Sequence, residues 1–199
     1  MKQFFLSVIL ALTSFAMSAQ DAIRVRYSGA KPTITDFARA YCHYMDTLQE
    51  TGDRPSNAIK HALECRDKGL PLDEGETFVV NERAGYIAYH AQHDGCFIEM
   101  EMCYWNEKDG KHKLFAFNNM ASLCDGKPLF TETSGIDFLR YDNATRTMTF
   151  CDDPGVEVHY GNAVYSLPCD GKDITVTVFD EDGEVTDHIL KWNGRRFLP

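Results

Sequence analysis

Six Asp-Gly or Asn-Gly dipeptides, at 94–95, 109–110, 125–126, 170–171, 182–183 and 193–194, punctuate the chain beyond residue 90. These pairs tolerate positive φ at both central positions of a type I′ turn, whose twist matches that of two antiparallel strands. Between them lie aromatic and β-branched runs, so everything from Glu76 onward is expected to fold as hairpins. The strand candidates are 77–80, 85–90, 96–105, 114–117, 136–141, 147–151, 157–160, 174–180 and 188–192. Their spacing is too irregular for a solenoid or a propeller.

The clearest ladder is CFIEMEMCYW, residues 96–105. Alternation puts Cys96, Ile98, Met100, Met102 and Tyr104 on one face, which reads as core. Phe97, Glu99, Glu101, Cys103 and Trp105 share the other, a mixed face that reads as partly solvated.

The pattern before Glu76 is different. Phe37, Tyr41, Tyr44 and Leu48 recur at helical spacing, with Thr33 or Thr35 as the cap and Asp36 in the first turn. The sequence TGDRPS breaks that helix, and Ser56 is placed to cap a second one over 57–68 that stops at Gly69. Two helices followed by antiparallel strands define an α+β domain, with the helical pair packed on one face or end of a curved sheet. One domain over residues 20–199 is expected, helical over about 35–69 and β from 76 onward.

Residues 1–19 read as a secretory signal peptide: Lys2, an apolar run from Phe4 to Met17, then small residues at Ala16, Ser18 and Ala19. That run of 14 residues, interrupted by Ser7, Thr13 and Ser14, is shorter than the roughly 20 a membrane-spanning helix needs. The first cysteine is Cys42, so a lipid-modified cysteine at the cut is not expected. The protein is therefore expected to be exported, periplasmic or secreted, with no integral membrane segment after processing. Its net charge of −10 becomes −11 when Lys2 leaves with the leader. Such a balance argues against nucleic acid as the main partner, because phosphate backbones are held by Lys and Arg.

Seven cysteines are an odd number, so at least one is not in an intrachain bridge. Cys96 and Cys103 lie seven strand steps apart, roughly 23 Å at about 3.3 Å per residue, too far to bridge each other. Cys42 and Cys65 are equidistant from the break between the helices and are one possible pair, or else two small buried residues.

Two constellations carry chemistry. His90, His93, Asp94 and Cys96 fall within seven positions and include the ligand types of zinc and the pairing of a thiol with an imidazole base. Glu99 and Glu101, about 7 Å apart on one strand face, are flanked by Phe97 and Trp105, a mixture suited to a sugar ring or a partner protein. The DEDG stretch at 180–183 fails as an EF-hand, since Val178 and Ile189 occupy positions that need carboxylates. No CxxC, GxSxG, HExxH, GxGxxG or P-loop pattern occurs.

The phrases GIDFLRYD, YSLPCDGKDITV and LKWNGRRF, covering roughly the last third of the chain, resemble exported proteins of gut-type anaerobic bacteria that have no assigned activity. The resemblance implies export and β architecture. The leading functional expectation is a non-enzymatic exported domain that binds a protein, glycan or small ligand through Phe97, Glu99, Glu101 and Trp105, with no cofactor. The competing one is a metal-dependent or thiol hydrolase centred on His90, His93, Asp94 and Cys96, with zinc as the cofactor and His159 or His188 contributing from other strands.

Overall fold

A computed structural model describes residues 22–48, 55–93, 95–119, 122–124, 127–130, 134–156, 162–180 and 184–199. The signal peptide expected at 1–19 and the strand expected at 157–160 lie outside the described residues, as do Asp94 and His159.

The first helix, α1 (Ile34–Thr47), begins where Thr33 and Asp36 close a reciprocal capping box, each satisfying a backbone N–H of the other. Thr35 is not the cap; it is buried, and its hydroxyl donates to Glu82. The second, α2 (Pro55–Lys68), starts two residues earlier than the pattern suggests, because proline is well suited to the first helical position. Ser56 therefore lies inside the helix, buried, with its hydroxyl unpaired rather than capping. At the far end Gly69 adopts φ 64° and the Leu70 amide reaches back to the Cys65 carbonyl, a Schellman closure. Ion pairs Arg39–Asp67 and Lys60–Asp46 align the two helices antiparallel.

The strands are β1 (Ile23–Arg24), β2 (Glu76–Asn81), β3 (Tyr86–His93), β4 (Cys96–Asn106), β5 (His112–Asn119), β6 (Ser122–Cys124), β7 (Lys127–Leu129), β8 (Gly135–Asp142), β9 (Thr147–Phe150), β10 (Ala163–Ser166), β11 (Ile174–Phe179), β12 (Val185–Trp192) and β13 (Phe197–Leu198). They form two sheets. The larger, nine-stranded among the described residues, runs β1-β9-β8-β5-β4-β3-β2 with β6 and β7 added beside the start of β4. The smaller runs β10-β11-β12-β13. Every recorded pairing is antiparallel. This α+β architecture, with its helical pair on an antiparallel sheet, is the class the hairpin punctuation predicts.

The layering is what periodicity alone misses. Helices cover one face of the large sheet: Phe37 meets the rings of Tyr104, Phe115 and Tyr141 at 5.0 to 5.9 Å, and Tyr41 meets Phe117 at 5.0 Å. The small sheet covers the other: Cys103, Trp105, Leu114, Ala116 and Phe138 form a second core with Tyr165, Ile174, Val176 and Phe197. The central strand β5 consequently has Leu114, Phe115, Ala116 and Phe117 all buried in succession. Both faces of a middle layer are dry, so strict alternation between apolar and polar disappears there.

Candidate functional site

The face proposed from sequence for ligand contact divides in two. Glu99 keeps about a quarter of its side chain exposed, at 27%, and Phe97 is half-buried. Glu101 and Trp105 are 4% and 3% exposed and lie under the small sheet. They are structural and unavailable to a ligand. Trp105 packs edge-on against Phe197 and its indole N–H donates to the Lys172 carbonyl at 2.8 Å. The Glu101 carboxylate accepts from the Tyr86 hydroxyl at 2.5 Å, the Leu167 amide at 2.8 Å and the Asn118 side-chain amide at 3.2 Å. Burial, only partly offset by these donors, pushes its carboxyl above the ordinary glutamate value.

The expected metal cluster is also rearranged. Cys96 is bonded to Cys124, so its sulfur is neither a zinc ligand nor a nucleophile. His90 faces Glu99 across the β3–β4 ladder, 3.5 Å from carboxylate to Nδ1, and stacks on Phe97 with ring centres 5.6 Å apart. His93 pairs with Cys96 in the ladder; its side chain, like Asp94, lies outside the described residues. His188 sits on β12 in register with Val176 of the small sheet, on a different strand pair from His90. The helical cysteines do not pair either. Cys42 donates to the Ser56 carbonyl at 3.4 Å, whereas Cys65 lies nine residues further along α2, next to His61 Nε2 at 3.5 Å. At about 1.5 Å per residue those levels are roughly 13 Å apart.

A better-formed site lies where the ends of the two sheets meet. Two cavities of about 610 and 620 Å³ share Arg140 of β8 together with Asn193 and Arg195 of the β12–β13 turn. One extends over the β4–β5 hairpin loop, from Glu107 to His112. The other extends along the end of β9, from Thr149 to Asp153.

Local chemistry fixes these walls. The Asn193 side-chain oxygen accepts from the Arg195 and Arg196 amides at 2.9 and 3.0 Å, shaping the tight turn. The Lys108 amide donates to the Gly194 carbonyl at 2.8 Å and ties that turn to the β4–β5 loop. On the other side the Phe197 amide donates to Pro154, and Gly155, at φ 79°, lies so close that a Cβ there would fall 2.2 Å from the Phe197 carbonyl oxygen. A side chain at 155 would force that backbone apart. The rim is held from three directions before any ligand arrives.

The polar groups in the cleft are of both signs. Glu107, 8% exposed, accepts from Arg140 Nε at 2.7 Å. Arg196 pairs with Asp153 at 3.0 Å. Among the described residues the Arg195 guanidinium has no ion pair or side-chain hydrogen bond. Asp109 accepts from the Lys111 and His112 amides and pairs with His112 Nδ1 at 2.5 Å, which lowers its carboxyl to about 2. Phe150, 42% exposed, borders the cleft at the end of β9, but its ring lies toward Tyr44 of α1 at 6.0 Å, on the helix-covered face shared with Leu139 and Met148.

Glu107, Asp109 and His112 bring one donor atom each within 4.8 Å, the spacing of a metal-ligand set. Their chemistry is already committed: one Glu107 oxygen to Arg140, both Asp109 oxygens to the turn and to the imidazole. A cation bound there would also have the Arg140 charge for a neighbour. The trio reads as the lock of a hairpin.

Nothing in the sequence pattern singled this cleft out. Its residues come from four separated segments, and only the Asn193-Gly194 and Asp109-Gly110 turn signals marked the positions that build its rim. No protein-family model, no curated protein and no solved structure matches the chain.

Proposed function

We propose that this chain is an exported, non-enzymatic domain that binds a glycan in the cleft between Arg140 and the Asn193–Arg196 turn. The observation that carries the reading is the grouping, on one cavity wall, of the unengaged Arg195 guanidinium with Arg140 and Asp152. A sugar presents hydroxyls in vicinal pairs on one edge and C–H groups on its faces. Planar forks such as Arg140, Arg195 and Asp152 suit the edges, each offering paired donors or acceptors. A mixed lining also fits an uncharged polar ligand better than a strongly charged one would, since no single sign dominates. The apolar leader at 1–19 and the Cys96–Cys124 disulfide support export, because such bonds persist in oxidising compartments.

Glycan-array screening of the processed chain, followed by calorimetry on the best hit, tests this. Arg195→Ala and Asp152→Ala should each weaken binding by about tenfold or more, roughly 1.4 kcal/mol, with unchanged thermal unfolding. Binding that survives both substitutions removes the cleft from consideration. Release of reducing ends from the bound glycan would show the domain to be an enzyme.

A further inference from the structure

Cys103 and Cys169 are the feature that neither the cleft nor the core explains. Cys103 lies on β4, buried at 2% exposure, on the face covered by the small sheet. Its sulfur sits 3.8 Å from the carbonyl oxygen of Pro168. Cys169 is the next residue, exposed to solvent, in the bend that joins β10 to β11. A trans peptide holds the following Cα within about 2.8 Å of that oxygen, so the Cys169 Cα lies within roughly 7 Å of the Cys103 sulfur. Cys103 belongs to the large sheet and Cys169 to the loop joining two strands of the small one, and both thiols are free.

We infer that Cys103 and Cys169 form a second disulfide, one that latches the small sheet to β4 of the large one. The segment that has to move is the bend 167–173, anchored at its start by the Leu167 amide on Glu101 and near its end by the Lys172 carbonyl on Trp105. Between those anchors the chain is not paired in either sheet, and from Cys169 to Gly171 it is exposed. Closing the sulfurs to bonding distance asks for a shift of a few ångströms in that bend and none in β4.

The chemistry runs in two exchange steps with a disulfide oxidant, either a thiol–disulfide oxidoreductase or a small-molecule disulfide. The exposed Cys169 thiolate attacks the oxidant, forming a mixed disulfide and releasing one thiol. Cys103 then loses its proton, attacks the Cys169 sulfur and expels the second thiol. Two protein thiols are oxidised by two electrons and one disulfide is reduced to two thiols. The order follows from access: Cys103 is buried, and burial pushes its thiol up, so it resolves the mixed disulfide rather than initiating the exchange. Such a bond needs no glycan and does not depend on the proposed function.

The test uses the wild-type chain equilibrated in glutathione buffers of graded redox ratio. Free thiols are trapped with N-ethylmaleimide, and the unreduced protein is mapped by peptide mass spectrometry. The expected result is a cross-linked pair of peptides, two hydrogens lighter than their sum, containing Cys103 and Cys169. Its abundance should rise as Cys169 alkylation falls. Three outcomes overturn the inference: Cys169 alkylated in full under oxidising conditions, Cys169 held as a persistent glutathione adduct beside a free Cys103, or Cys169 linked to Cys151 or to a second chain. A Cys103→Ala variant keeps the assignment open to challenge, since in it Cys169 should stop at the glutathione adduct.

Discussion

The carboxylate of Glu101 meets three donors under the small sheet, and among the described residues no ion pair reaches it. Its folded-state pKa lies above the ordinary glutamate value because burial disfavours the charged form. The folded state therefore holds this proton more tightly than the unfolded chain. That contribution is present at low pH and is lost as pH rises from the ordinary value through the raised one. Glu101→Gln should remove that component, flattening the dependence of unfolding free energy on pH across the window and leaving the variant at least as stable as the parent at pH 8. Urea titrations at a series of pH values would show it. A parent slope retained in the variant would place the effect on other carboxyls, Asp137 first, since burial raises it too. Sequence reading identified Glu101 as a notable acid but placed it in water. Alternation assigns a residue to a face; it does not say what covers that face.

Among the elements, α1 illustrates how far local signals reach. The spacing of Phe37, Tyr41 and Tyr44 identified the helix, and its cap lay at one of the two threonines expected. What the periodicity could not supply was the partner, an aromatic wall contributed by β4, β5 and β8. Phe37→Ala should destabilise the protein by about 3 to 5 kcal/mol, the usual cost of emptying a buried aromatic site. Val185→Thr on β12, where the side chain is 56% exposed, should stay within about 0.5 kcal/mol of the parent. Chemical unfolding of the two variants side by side checks both, and a costly Val185→Thr would mean that the outer face of the small sheet is covered in solution. Boundaries shifted for identifiable reasons. Pro55 opens α2 ahead of Ser56, and β6, β7 and β10, of three or four residues each, are too short to show a period.

At the scale of the whole molecule, three layers enclose two cores, and the larger sheet serves both. The Cys96–Cys124 bond closes a sequence separation of 28 and fastens β6 beside the start of β4. Replacing both cysteines by alanine should cost roughly 3 to 4 kcal/mol if the entropy of closing that loop in the unfolded chain dominates. Equilibrium unfolding measures the loss, and a change below about 1 kcal/mol would mean that the unfolded chain is already compact in this region. The same bond removes one member of the histidine–cysteine cluster. Spacing along a chain shows which sulfurs cannot meet, as it did for Cys96 and Cys103, but not which partner each one finds.

The sequence alone determined the α+β class, the antiparallel connectivity and the order of the two helices before the main run of strands. Each follows from interactions between residues close in the chain: hairpin turns, helical spacing and caps. Only the tertiary structure decided that the strands divide into two sheets, that Glu101 and Trp105 lie between them, and that Arg140, Asp152 and Arg195 line one cleft. Those facts depend on contacts between segments separated by tens of residues, and a side chain's local pattern is the same whether its exposed-looking face meets water or another layer of protein.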